Sequence, residues 1–270
     1  MSRVFDILEE SIAPGHWYCD RAKCDGKPHG NFDRPHARTE QRPPPTFAVG
    51  DARVWLIMAG RGYGKTRSGA EWIGYQARKY PKSEWAILAP TFKDLKEVCI
   101  EALMEVFEDD NVQYNRSSLE IILPNGSKIR SYSAETPERV RGPNMSGAWM
   151  DEIAQNKNNY PVAYKQLSLA IRRLGTPVQV VATTTPDGQS KLVREFTERK
   201  DKSVVITRGS TYDNKDNLAP AFIEDIERRF KGTRFEDQEL YGKLLKDTPG
   251  ALWTPAMIEQ SKGVLRGGPD

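Results

Sequence analysis

Val54-Trp55-Leu56-Ile57-Met58-Ala59 runs directly into Gly60-Arg61-Gly62-Tyr63-Gly64-Lys65-Thr66, and this junction decides the fold. Six consecutive apolar residues fit a strand buried on both faces. From Ala59 onward the chain has the Walker A form: Ala, four residues, then Gly-Lys-Thr. Small residues let successive backbone N–H groups curl around phosphate oxygens. The Lys reaches the β- and γ-phosphates, and the Thr hydroxyl suits Mg²⁺. Beyond the loop, Ala70, Ile73, Ala77 and Tyr80 recur at helical spacing. A helix starting there turns its positive dipole end toward the same anion. A chance glycine-rich turn would lack both flanking elements. The expected ligands are therefore ATP and Mg²⁺, with Gly60, Arg61, Gly62, Tyr63, Gly64, Lys65 and Thr66 lining the phosphate site.

Further along, strand and helix signals alternate. Trp85 to Ala89 reads as a strand ended by Pro90, and residues 91–107 as a helix through Leu95, Val98, Cys99, Leu103 and Phe107. Leu119 to Leu123 and Lys128 to Tyr132 flank Pro124-Asn125-Gly126, which predicts a hairpin. Gly147 to Met150, Val178 to Ala182 and Ser203 to Ile206 read as strands, with a helix near residues 160–173. Residues 220–245 read as charged helix. This order implies an α/β fold: a mostly parallel sheet between two helical layers.

Trp149-Met150-Asp151-Glu152 is the second chemical signal. A Walker B Asp holds Mg²⁺, and a Glu directly after it can polarise the attacking water. An ordinary acidic turn would look the same in isolation. Thr183-Thr184-Thr185-Pro186 closes the strand from Val178, where ligands of open parallel sheets sit; standing alone it would read as a β-branched strand end terminated by proline. Thr184 is the residue expected to meet the γ-phosphate.

Composition bounds the rest. The 270 residues carry 40 Lys+Arg and 37 Asp+Glu, a net charge of +3, which excludes a histone-like or an acidic solvating protein. Any nucleic-acid contact must come from local clustering. Residues 191–208 hold six basic side chains (Lys191, Arg194, Arg199, Lys200, Lys202, Arg208) against three acidic ones. They suit the phosphate backbone of double-stranded DNA, or else form a solvated mixed-charge helix. No apolar run approaches a bilayer span, and no export signal opens the chain, so it reads as soluble with no membrane partner. The first 46 residues hold all three His and two of the three Cys. Cys19, Cys24, His29 and His36 are Zn²⁺ ligand types at loose spacing, or else small buried thiols and solvated imidazoles.

Taken in order, these blocks resemble the ATPase domain of large terminase subunits of tailed bacteriophages, the motors that package DNA. Ala37-Arg38-Thr39-Glu40-Gln41-Arg42-Pro43-Pro44 resembles that family's adenine-binding segment, and Arg139-Val140-Arg141-Gly142-Pro143-Asn144 its approach to the Walker B strand. Gly209 to Asn214 and Glu239-Leu240-Tyr241-Gly242 are further matching blocks. The resemblance implies a P-loop NTPase of the RecA-like (ASCE) type with a small helical lid. With residues 1–46, which lack sustained periodicity, as a wrapping segment, it implies an ATPase core over 47–217 and a lid and linker over 218–270. Gln41 would read adenine, Lys65 and Glu152 would be catalytic, and Thr66 and Asp151 would hold Mg²⁺. Arg61 would join the catalytic set by contacting the γ-phosphate or a lid residue, or else be plain surface charge. Arg141 resembles a trans-acting arginine finger, the plainer reading being surface charge. The implied partners are double-stranded DNA, a portal protein, a small terminase subunit and further copies in a ring. The chain would be a monomer in dilute solution, and its place the host cytoplasm at the procapsid portal vertex. Full large terminases also carry a nuclease. This sequence stops at Asp270, so no nuclease activity is expected of it. The alternatives are another helicase-like DNA translocase, or a nucleotide-gated portal-binding module without turnover.

Overall fold

The computed structural model describes residues 52–140 and 144–245. Eight strands form one sheet: β1 (Val54–Ala59), β2 (Glu84–Ala89), β3 (Gln113–Asn115), β4 (Glu120–Ile122), β5 (Lys128–Ser133), β6 (Gly147–Met150), β7 (Gln179–Thr184) and β8 (Val204–Gly209), in the order β3-β4-β5-β2-β6-β7-β1-β8. From β5 to β8 every neighbouring pair is parallel. The β3 and β4 strands extend one edge antiparallel.

Each central strand serves two cores because side chains alternate across a sheet. Trp55, Ile57, Trp85, Ile87, Trp149 and Val181 face one layer of helices. Val54, Leu56, Met58, Leu88, Met150, Val180 and Ala182 face the other. The first layer holds α1 (Lys65–Lys79) and α2, which runs Phe92–Asp94, widens into a π turn over Leu95–Ile100 and resumes over Glu101–Val106. Gly69 sits where α1 crosses β6, and a methyl group there would overlap the Trp149 indole. Trp72 of α1 meets Trp85 of β2 edge-on at 5.9 Å. The second layer holds α3 (Asn159–Ala170) and α4 (Lys191–Glu198), joined by the edge-on pair Tyr164–Phe196 at 5.0 Å. A further helix, α5 (Pro220–Phe230), and the short α6 (Glu236–Glu239) complete the described chain.

The predicted strands and helices are present, with corrections that have physical causes. The segment expected as one regular helix over 91–107 contains the π turn, which lets Leu95 and Ile100, five residues apart, both bury. The strand expected to stop at Ala182 continues to Thr184, and the last strand continues to Gly209, because each pairs along β1. The charged stretch 220–245 is not one helix: Gly232 takes a φ of +75° between α5 and α6, and residues 242–245 are not helical. The basic segment 191–208 contains α4, which buries Leu192, Val193 and Phe196 and leaves Lys191, Arg194, Lys200 and Lys202 outward. Arg199 is tied to Glu195 at 3.0 Å. Among the described residues no helix is long and apolar enough to cross a membrane.

Candidate functional site

The carboxyl ends of β1, β7 and β6 lie side by side, so the loops leaving them meet at one edge of the sheet. The glycine loop leaves β1, with Gly64 at a φ of +98° as the N-cap of α1. Lys65, the first residue of that helix, is buried. Its ammonium donates to the carbonyls of Ala59 and Gly60, both at 3.1 Å, and to the Thr185 hydroxyl at 3.0 Å. Glu152 Oε1 lies 3.7 Å away. Burial lowers the Lys65 pKa, while Glu152 and Asp151 act against the fall.

Asp151 directly follows β6 and is buried. Thr183 Oγ1 donates to its Oδ1 at 2.7 Å, and Thr66 Oγ1 to the same oxygen at 3.4 Å. Desolvation, then the charge of Glu152, raises the Asp151 pKa to about 7. A carboxylate so placed favours a cation beside it. The Thr66 hydroxyl and the Asp151 carboxylate are hard oxygen donors converging on one point, the chemistry Mg²⁺ takes. The residues present therefore fit a magnesium nucleotide.

Glu152 adopts a φ of +47°, in the left-handed region. That turn brings its Oε2 within 3.2 Å of the Thr185 amide. Thr183 and Thr185 thus both engage the site residues, and Thr184 does not. The Thr184 hydroxyl accepts from the Ala154 amide at 3.2 Å and donates to the Thr185 carbonyl at 2.8 Å. The two-residue period of a strand places Thr183 on the α1 face with Val181, and Thr184 on the opposite face with Ala182. Applying that period to β7 was the signal that could have identified Thr183 from sequence.

Arg61 is half-exposed, and its guanidinium pairs with the buried carboxylate of Glu239 in α6. Its amide donates to the Glu239 carbonyl at 2.9 Å. Thr211 Oγ1 donates to the Arg61 carbonyl at 2.7 Å, and Asn214 Nδ2 to the Gly62 carbonyl at 2.6 Å. The outer side of the loop is thereby strapped to residues 211–214 and to α6. Gly242 makes a tight passage against backbone on two sides: at φ +61°, a Cβ there would lie 2.6 Å from both Ala59 Cα and the Gly209 carbonyl oxygen. Tyr63 turns its ring inward onto Gly209 and contributes backbone, not side chain, to the loop. The pair, 178 residues apart, gives Arg61 the lid-side contact that was one of its two expected partners, although no local pattern singles out Glu239 within that segment. Gln41, Arg141 and the Cys19, Cys24, His29, His36 set lie outside the described residues. Among the described residues no group of three or more His, Cys, Asp or Glu could hold a metal ion.

A glycine loop between a buried strand and a helix, with one further strand between it and the strand ending in paired carboxylates, defines a RecA-like P-loop α/β fold. The family model described as "Terminase large subunit, T4likevirus-type, N-terminal" matches residues 56–260, and the chain belongs to that family. Solved structures agree on the fold. The large terminase of the thermophilic bacteriophage D6E aligns at TM-score 0.58 and 16% identity, covering 72% of this chain and 48% of that one. The large terminase ATPase domain of Thermus phage P74-26 aligns at TM-score 0.56 and 17% identity, covering 73% and 90%. The HK97 bacteriophage large terminase aligns at 0.54 and 13%, covering 72% and 47%. The chain thus spans about half the length of the D6E and HK97 proteins. The D6E protein has also been solved with ADP and with ATP-gamma-S. No curated protein matches the chain.

Proposed function

We propose that the chain is an ATP-hydrolysing motor domain that drives double-stranded DNA into a viral procapsid. The observation that carries this reading is the convergence of Lys65, Thr66, Asp151, Glu152, Thr183 and Thr185 at three adjacent strand ends. Lys65 and the loop amides bind the phosphates of ATP, with the dipole of α1 behind them. Thr66 and Asp151 hold Mg²⁺, which when bound supplies Lewis-acid neutralisation of phosphate charge. Glu152 orients the attacking water and accepts its proton. In this structure both Glu152 oxygens have partners, Lys65 near Oε1 and the Thr185 amide on Oε2. Lys65 turning to phosphate releases Oε1 toward water. Thr185 links the same lysine to the end of β7, so occupancy of the phosphate site reaches the 183–186 segment through one hydroxyl. Arg61 exchanges Glu239 for phosphate, which would loosen a lid built on α5 and α6.

The further parts of this reading rest on the family. They are the Gln41 adenine reader, the Arg141 finger from a neighbouring copy, a portal and small subunit as partners, and a ring at the portal vertex; the outward basic residues along 191–208, by their charge clustering, would face the DNA backbone. Metal analysis of the purified protein decides whether Cys19, Cys24, His29 and His36 hold Zn²⁺. The enzymatic reading is tested by pairing Lys65→Ala with Glu152→Ala. Lys65→Ala should lose both nucleotide affinity and hydrolysis. Glu152→Ala should keep ATP affinity and lose turnover, since its carboxylate acts on water and not on ground-state phosphate. Hydrolysis by Glu152→Ala at the wild-type rate overturns the assignment.

A further inference from the structure

Glu152 is neither glycine nor asparagine, yet it holds a φ of +47°. For such a residue the left-handed region is disfavoured, because Cβ crowds the backbone there, and it persists only where the surroundings fix it. The peptide that sets this angle joins Asp151 to Glu152, and both its polar atoms are held. Its N–H meets Thr183 Oγ1 at 3.4 Å. Its carbonyl accepts from the hydroxyl of Tyr160, a fully buried side chain in the first turn of α3. The same phenol lies 3.0 Å from the Leu88 carbonyl of β2, which already accepts the Asp151 amide at 2.8 Å. One hydroxyl therefore sits where β2, β6 and α3 meet, against the carbonyl that leaves the strand ladder when the chain kinks.

We infer that Tyr160 is the positioning residue for Glu152: its hydroxyl fixes the Asp151–Glu152 peptide plane and so aims the carboxylate at Lys65 and Thr185. Tyr160 itself touches neither the Glu152 side chain nor the glycine loop in any hydrogen bond of the structure, so its influence passes through the backbone. An ordinary core tyrosine would lower stability alone when its hydroxyl is removed. A positioning tyrosine also moves Glu152. This inference rests on the reading of Glu152 as the hydrolytic carboxylate.

The test uses Tyr160→Phe, which keeps the ring and removes one oxygen, alone and combined with Glu152→Gln. Four quantities are measured: kcat, KM, affinity for a non-hydrolysable ATP analogue, and amide hydrogen exchange at Thr185 without nucleotide. Tyr160→Phe should lower kcat about tenfold or more with analogue affinity within about twofold of wild type. It should speed exchange at the Thr185 amide, whose acceptor is Glu152. In the Glu152→Gln background it should lower the residual rate no further, because two residues acting as one unit are not additive. Unchanged kcat and unchanged Thr185 exchange overturn the inference, as does an equal fold-loss in both backgrounds. A wild-type protein with no hydrolysis under assembly conditions overturns the enzymatic reading instead, and the Thr185 exchange still reports on Tyr160. Should Tyr160→Phe fail to fold, Thr183→Val examines the other end of the same peptide by the same exchange measurement.

Discussion

Replacing Thr183 with Val should convert the charge of Asp151 into a pH-dependent loss of stability. The two side chains have nearly the same shape, and position 183 is fully buried, so packing is preserved and one hydroxyl is lost, the donor to Asp151 and the weaker acceptor of the Glu152 amide. That donor lies 2.7 Å from Asp151 Oδ1. A hydrogen bond to a charged group contributes about 1.5–3 kcal/mol, against about 0.5–1.5 kcal/mol for a neutral pair. Asp151 has its pKa raised to about 7 by desolvation and by Glu152, with Thr183 and Lys65 pulling the other way. Because the folded value is the higher one, this group's contribution to stability is complete below the unfolded pKa of about 4 and is lost as pH rises through 7. About three units at ~1.4 kcal/mol each bounds that loss near 4 kcal/mol. Removing the Thr183 hydroxyl raises the Asp151 pKa further. The gap between wild type and Thr183→Val should therefore be small at pH 5 and widen through pH 7 to 8.5. At the upper end it should reach about 3–12 °C in melting temperature, taking ~2–4 °C per kcal/mol at this size. The assay is thermal melting without nucleotide or divalent cation across that pH range. In an Asp151→Asn background the widening should vanish. A gap that is constant with pH, or that persists in Asp151→Asn, refutes the reasoning.

Three other outcomes are expected. Gly242→Ala should destabilise by more than about 1 kcal/mol, because the new methyl meets backbone of both β1 and β8 and the φ is +61°, and limited proteolysis should then cut after residue 209. Gln41→Ala should weaken ATP more than GTP by about 1–3 kcal/mol in competition binding, and equal losses remove its role as base reader. Arg141→Ala and Glu152→Ala should each be inactive when assembled yet regain part of the activity when mixed, since an intact Glu152 site can receive Arg141 from a neighbour; a finger of this kind gives about 10³–10⁵ in rate, and a mixture with no recovery places Arg141 in cis or in a structural role.

The sequence by itself determined the local elements and the identity of the chemical groups. The run from Val54 to Thr66 specifies a buried strand, a phosphate loop and a helix start, because each depends on residues within a few positions of one another. Asp151-Glu152 was legible for the same reason. Only the tertiary structure decided the order of the strands, and with it the site. With β7 inserted between β1 and β6, Thr183 reaches Asp151 and Thr185 reaches Lys65, 120 residues away in the chain. The Arg61–Glu239 pair and the Tyr160 contact to the Asp151 carbonyl belong to the same class. Such contacts leave no periodic trace in the chain, since the partner of a buried polar group is chosen by which segments the packed sheet brings within hydrogen-bonding reach. The left-handed turn at Glu152 was invisible for a related reason: local preference disfavours it, and it exists only because distant groups hold the peptide on both sides.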